Sequence, residues 1–159
     1  MALEIERKFL VKSAQFKNEA SKVINITQGF LSSNKSAVVR IRTQNDAAFI
    51  TIKGLSNKSG TTRYEWEKEI DLNEAKDLLK LCPISPILKK RYLVNYKNHI
   101  FEIDEFLGDN KGLVIAEIEL KKENEAFEKP QWLGEEVTGI AKYYNVMLNK
   151  NPFKKWDTK

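Results

Sequence analysis

Along seven stretches of this 159-residue chain, charged or polar side chains alternate with apolar ones at every second position. Glu4, Glu6 and Lys8 stand between Leu3, Ile5 and Phe9, and Arg40 and Arg42 beside Val39 and Ile41. Thr51 and Lys53 oppose Ile50 and Ile52, and Arg63, Glu65 and Glu67 oppose Tyr64 and Trp66. Lys89 and Arg91 oppose Leu88 and Tyr92, Glu102 and Asp104 oppose Phe101 and Ile103, and Glu117 and Glu119 oppose Ile118 and Leu120. Only a strand sends successive side chains to opposite sides, so the pattern dictates sheet with one charged and one apolar face.

Eight strand-like runs are predicted, near 3–11, 24–32, 37–44, 47–54, 62–71, 87–96, 99–107 and 113–121. Asn45-Asp46 and Lys97-Asn98 read as tight turns, and Ser56 to Thr61 as a longer, mobile connection. Helix is expected around 13–20, from Asn73 as N-cap through Leu81, and from Thr138 to about Asn149. No repeat, low-complexity tract or linker suggests a domain cut, so residues 1–159 are expected to form one domain. The fold class is mainly β within α+β. An eight-stranded antiparallel closed barrel with a few peripheral helices leaves no open edges, which an open sheet would have to protect.

Which face turns inward follows from the signs of the charges. A solvated face mixes Lys, Glu, Thr and Ser, whereas this one repeats Glu-x-Glu three times and pairs basic residues at 40/42 and 89/91. Like charges two residues apart on one face repel unless cations lie between the carboxylates. Turned inward, the doublets line a tunnel that neutralises metal ions on one side and phosphate oxygens on the other. Carboxylates without His or Cys suit Mg²⁺ or Mn²⁺ rather than Zn²⁺. Arginines fork onto phosphate oxygens, and Lys8, Lys53 and Lys89 supply point charges. The opposite orientation would give a lipocalin-like carrier with the charges outside.

The formal charge of +5 comes from scattered lysines and excludes a nucleic-acid footprint. Cys82 cannot form an internal disulfide and reads as a small buried hydrophobe. The charged N-terminal stretch is neither a signal peptide nor a membrane span, and a cytoplasmic protein is expected. His99 reads as a surface histidine, Lys154 and Lys155 as a solvated tail, and the three tryptophans as packing residues.

The residues resemble the CYTH family, the triphosphate tunnel metalloenzymes, whose mark is Glu-x-Glu-x-Lys, here Glu4-Ile5-Glu6-Arg7-Lys8. In the family's order follow QGF at 28–30, RIR at 40–42, TIK at 51–53, EWE at 65–67, KKRY at 89–92, EID at 102–104, EIE at 117–119 and WLGEEVT at 132–138. The resemblance implies an eight-stranded tunnel binding a triphosphate with Mg²⁺ or Mn²⁺. It assigns Glu4, Glu6, Glu117 and Glu119 to the metal. Lys8, Arg40, Arg42, Lys53, Lys89 and Arg91 go to the phosphates, with Arg63 counted beside them. Lys8, Glu65, Glu67 and Asp104 are the catalytic candidates, the three carboxylates for a second metal or for orienting water. Two departures stand out. Phe30 replaces a family Tyr near the motif lysine, and Ile140 with Lys142-Tyr143 replaces Asp and Arg-Tyr in the segment expected to plug one tunnel end.

The expected activity is metal-dependent hydrolysis of inorganic tripolyphosphate by water attack on a terminal phosphoryl group. An adenylyl cyclase and a thiamine or nucleoside triphosphatase are the enzymatic alternatives. A non-catalytic polyphosphate-binding module, motivated by Phe30, is the alternative of another class. A small-molecule triphosphate is the expected partner, without nucleic acid or membrane. A homodimer would bury whatever outer apolar face the helices leave bare.

Overall fold

Each predicted strand is present in the computed structural model, which describes residues 2–157. The strands are β1 (Ala2–Val11), β2 (Lys22–Asn34), β3 (Ala37–Gln44), β4 (Ala47–Ser56), β5 (Thr62–Ile70), β6 (Ile87–Tyr96), β7 (His99–Phe106) and β8 (Val114–Glu119), with a ninth, β9 (Leu133–Glu136). All pairings are antiparallel, in the order β5-β4-β3-β2-β6-β7-β8-β1, and β1 returns to β5 to close an eight-stranded barrel. One edge of β1 faces β8. The other is shared: Ala2 to Ile5 pair with β5, and Phe9 and Val11 pair with β9.

Two of the turns show why the short links suffice. Lys97 and Asn98 take φ of 45° and 69°, the pair of positive values whose twist matches a two-residue hairpin. Asn45 takes φ of 54°, a left-handed conformation that Asn tolerates better than most residues. The link from Ser56 to Thr61, expected to be mobile, is instead tied down. Asn57 Nδ2 and the hydroxyls of Ser59, Thr61 and Thr62 all donate to Glu123, and Asn57 Oδ1 accepts from the backbone N–H of Thr61.

Apolar residues outside the barrel are covered in two places. Under α1 (Phe16–Glu19) and residues 121–132 lie Phe9, Tyr92, Val94, Phe101, Ile103, Ile118 and Trp132. Under α2 (Leu72–Leu79) lie Ile41 and Ala48. A Cβ on Gly29 would meet Cys82 Sγ at 2.7 Å, so the strand lacks a side chain where the end of this helical segment presses on it. Cys82 is thus a packing residue, as the sequence implies. Leu3, Leu55 and Trp66, on the outer face of β1, β4 and β5, remain 63%, 62% and 42% exposed. Trp132 and Trp156 are buried as expected, whereas Trp66 is not.

A third apolar cluster lies inside. Leu10, Phe30, Ile87, Phe106 and Ile115 share strand faces with Lys8, Gln28, Lys89, Asp104 and Glu117, and pack against Leu148, Phe153 and Trp156 from the C-terminal segment. The interior is therefore charged along most of its length and apolar at one end.

The helix predicted from Thr138 to Asn149 is absent as such. Val137 N–H donates to the Lys8 carbonyl, Gly139 takes φ of +77°, and a 3₁₀ turn at Ala141–Tyr143 precedes the short helix α3 (Asn145–Lys150). A Cβ on Gly139 would meet the Ser59 carbonyl at 2.8 Å, so the chain bends where only glycine fits. The α2 N-cap is Asp71, not Asn73: its carboxylate accepts from Asn73 and Glu74 N–H at 2.8 and 3.3 Å. Among the described residues no helix is long and apolar enough to cross a membrane.

Candidate functional site

The charged faces enclose a cavity of about 210 Å³, and fourteen of its eighteen lining residues are charged. Glu4, Glu6, Lys8, Arg40, Arg42, Lys53, Arg63, Glu65, Glu67, Lys89, Arg91, Glu117 and Glu119, all singled out in the sequence, face it together with Glu102. Strand register accounts for the grouping. Glu6 lies opposite Glu119, Lys8 opposite Glu117, and Glu4 opposite Arg63, so β1 sets the acidic doublet of β8 beside its own.

The carboxylates are held by lysines. Lys53 Nζ donates to Glu4 Oε1 at 2.9 Å and lies 3.2 Å from Glu65. Lys8 Nζ donates to Glu117 at 2.7 Å and lies 3.4 Å from Glu6. Burial opposes ionisation of Glu4, yet Lys53, a hydrogen bond from Glu6 and Arg63 together bring its carboxyl down to about 2. The same contest drives Glu117 well below the ordinary range through Lys8, Glu6 and Arg91. Glu6 goes the other way: burial first, then the neighbouring Glu117, raise it well above the ordinary value. Glu6 is thus the carboxyl of this group that its neighbours and its burial push towards the protonated form. Glu119 is also raised, by burial and by the charges of Glu4, Glu65 and Glu102.

Oxygen-only donors on β1 and β8 fit a hard divalent ion by chemistry. Among the described residues no three acidic, His or Cys side chains converge on a common point, because Lys8 and Lys53 sit among the carboxylates. These two ammonium groups are the charges that an incoming ion would replace.

The basic half is rigidly mounted. Asp104, 1% exposed, does not line the cavity but stands behind its wall. It accepts from Arg91 Nε and Nη2 at 2.8 and 2.9 Å, a two-pronged contact, and lies 2.7 Å from Lys89 Nζ. From that position its carboxylate holds Arg91 and Lys89 in place. Burial, and then Arg91 and Arg42, press Lys89 down to about 7 despite Asp104. Arg42 falls to about 9 through burial, Arg40 and Arg91. Arg40 donates to Thr51 Oγ1 at 3.1 Å, whose own hydroxyl donates to Glu67 at 2.6 Å.

Residues that the alternation does not flag complete the wall. Gln28, fully buried, joins Arg42 to Asn145. Tyr144, Asn145 and Val146, around the start of α3, line the cavity at its plugged end. No strand period marks them, because they enter from the C-terminal segment. The aromatic ring beside Lys8 belongs to Tyr144, 5.8 Å from Nζ, while Phe30 is turned into the apolar plug. Lys142 lies over the Trp156 ring at 4.6 Å, outside the cavity lining. His99, expected to be a plain surface residue, is half-buried and shares a 2.7 Å hydrogen bond with Glu125, away from the tunnel.

A closed antiparallel barrel whose interior is lined with opposed acidic and basic doublets defines a polyanion-binding tunnel. The model of the CYTH domain matches residues 2–146, and the chain belongs to that family. An inorganic triphosphatase of Acetivibrio thermocellus is 44% identical over 155 residues, covering 97% of each chain. An inorganic triphosphatase of Nitrosomonas europaea is 34% identical over 149 residues, covering 91% of this chain and 95% of that one. A crystal structure of an inorganic triphosphatase superposes with a TM-score of 0.64 at 32% identity, covering 92% of this chain and 97% of that one.

Proposed function

We propose that this chain hydrolyses inorganic triphosphate in its tunnel with Mg²⁺ or Mn²⁺ bound. The observation that carries the reading is the composition of the cavity wall: Tyr144 is its single aromatic residue, and that ring lies against Lys8 and Arg63. A nucleobase or thiamine ring has only this cation-flanked ring to stack on, whereas phosphate oxygens meet seven basic side chains. The two relatives named as inorganic triphosphatases support the same substrate.

In this reading Arg40, Arg42, Arg63, Lys89, Arg91, Lys8 and Lys53 draw the triphosphate in and fix its oxygens. Glu4, Glu6, Glu117 and Glu119 hold the ion, which when bound neutralises charge on the phosphoryl oxygens. Glu65 and Glu67, on the neighbouring strand β5, orient a water for in-line attack on a terminal phosphorus. The P–O bond to the bridging oxygen breaks as the P–O bond to water forms, giving orthophosphate and pyrophosphate. Asp104 keeps Arg91 and Lys89 aimed, so no step requires it to touch substrate.

A panel of tripolyphosphate, ATP and thiamine triphosphate with Mg²⁺ and Mn²⁺ tests the reading. Fastest phosphate release from tripolyphosphate is expected, with turnover abolished by Glu4→Gln or Glu119→Gln. Cyclic AMP formed from ATP faster than orthophosphate would assign a cyclase instead. Tight triphosphate binding without phosphate release under any divalent ion would assign a non-catalytic binding module.

A further inference from the structure

We infer that Asn145 is a positioning residue of the tunnel, through which the C-terminal plug sets the geometry of two phosphate-facing cations. The inference rests on the proposed triphosphatase reading. Asn145 opens α3 and sends its side chain into the cavity. Its Oδ1 accepts from Lys89 Nζ at 3.0 Å and from Gln28 Nε2 at 2.8 Å. Gln28 Oε1 in turn accepts from Arg42 Nε at 3.3 Å. One carbonyl oxygen from the plug thus ties together a strand β6 lysine and, through Gln28, a strand β3 arginine.

The donor arithmetic explains what this achieves. Lys89 has three N–H groups: Asp104 lies 2.7 Å from Nζ, Asn145 accepts from a second, and one remains for a ligand. Arg42 gives Nε to Gln28 and Nη1 to Gln44 at 3.5 Å, which leaves Nη2 and the rest of its fork for phosphate. Lys89 is 2% exposed and Gln28 fully buried, so both donors rely on Asn145 as a fixed protein partner. Without the amide oxygen, two buried donors lose their partner and both cations lose a restraint. The alternation cannot reveal this role, since Asn145 belongs to no strand.

An interaction made equally with bound substrate and transition state changes KM and leaves kcat nearly alone. For Asn145→Leu, close in shape but lacking an acceptor, KM for tripolyphosphate is expected to rise about tenfold or more while kcat changes less than about threefold. The Mg²⁺ concentration for half-maximal rate should stay within about twofold, because Asn145 does not touch the acidic doublets. Asn149→Ala serves as the comparison: its amide donates to the Ser85 carbonyl at 2.7 Å, so its loss loosens α3 without touching either cation. If Asn145→Leu does not fold, Asn145→Ser, whose hydroxyl stops short of both donors, is read in the same way.

An unchanged tripolyphosphate KM in folded Asn145→Leu overturns the inference and leaves the triphosphatase reading standing. So does a joint shift of KM and the Mg²⁺ requirement matched by Asn149→Ala, which would mark a merely structural role. Absence of phosphate release by the wild-type protein removes both readings together.

Discussion

Lys53 and Glu4 show most simply how this interior is balanced. Their side chains are each 10% exposed and their atoms 2.8 Å apart, so each charge relies chiefly on the other for compensation. The displacement of the Glu4 carboxyl from 4.5 to about 2 corresponds to about 3 kcal/mol. Because the folded value is depressed, this contribution is complete above the unfolded value of 4.5 and is lost as pH falls from there towards 2. Lys53→Met leaves the carboxylate buried with Arg63 at 3.4 Å and Glu6 as its remaining partners. A loss of about 3 kcal/mol in urea unfolding at pH 7 is expected, at the low end for a broken buried pair because Arg63 remains. The acid-side dependence between pH 4.5 and 2 should flatten in that variant. Lys89 has the opposite sign. Its ammonium is present below about 7 and lost above it, so wild-type kcat/KM for tripolyphosphate should fall, by up to about tenfold per pH unit, on the alkaline side. Lys89→Arg, whose guanidinium stays charged, should remove that limb; an identical profile in the two proteins would refute the attribution.

At the scale of elements, what was legible depended on whether a strand carried the information. The period of two gave all eight barrel strands to within a few residues and the inward face of seven of them, because one charged and one apolar side leave only one consistent pleat. The C-terminal segment departs from its sequence pattern. Its apolar spacing suits a helix from Thr138, but Gly139 is forced to positive φ by the Ser59 backbone, a contact that joins residues far apart in sequence. β9 escaped notice because its four residues, Leu-Gly-Glu-Glu, carry no alternation, and pairing with β1 alone makes them a strand. Asp104 was legible as a charged tunnel-face residue but not as one standing behind its cations. The seat of α2 against Gly29 gives a test at this scale. Gly29→Ala puts a Cβ 2.7 Å from Cys82 Sγ and 3.1 Å from Leu79, and should cost about 1–3 kcal/mol. Adding Cys82→Ala should restore part of that loss, with a non-additivity above about 0.5 kcal/mol. Strict additivity would mean that the helix had moved away instead.

For the whole molecule, the balance of charge decides what the tunnel can accept. Seven basic and seven acidic side chains line the cavity, so the protein's formal +5 resides on its outer surface rather than where the ligand goes. With equal numbers of both signs the wall offers no large positive excess, and a triphosphate brings several negative charges into a site with little water to screen them. Divalent ions are the natural complement: they would neutralise the incoming oxygens and displace the lysines that now occupy the acidic doublets. Tripolyphosphate and Mg²⁺ together should therefore stabilise the fold far more than either alone. Since only the folded barrel assembles the site, ligand at a hundred times its dissociation constant contributes about 2.7 kcal/mol. For a chain of this length that is roughly 5–10 °C in Tm. Differential scanning calorimetry with tripolyphosphate and EDTA, with Mg²⁺ alone, and with both measures the three cases. A full shift in EDTA would show that the basic side chains suffice without an ion. No shift with both would place the charged faces outside the barrel, contrary to the pairing of Glu6 with Glu119 and of Lys8 with Glu117 across β1 and β8.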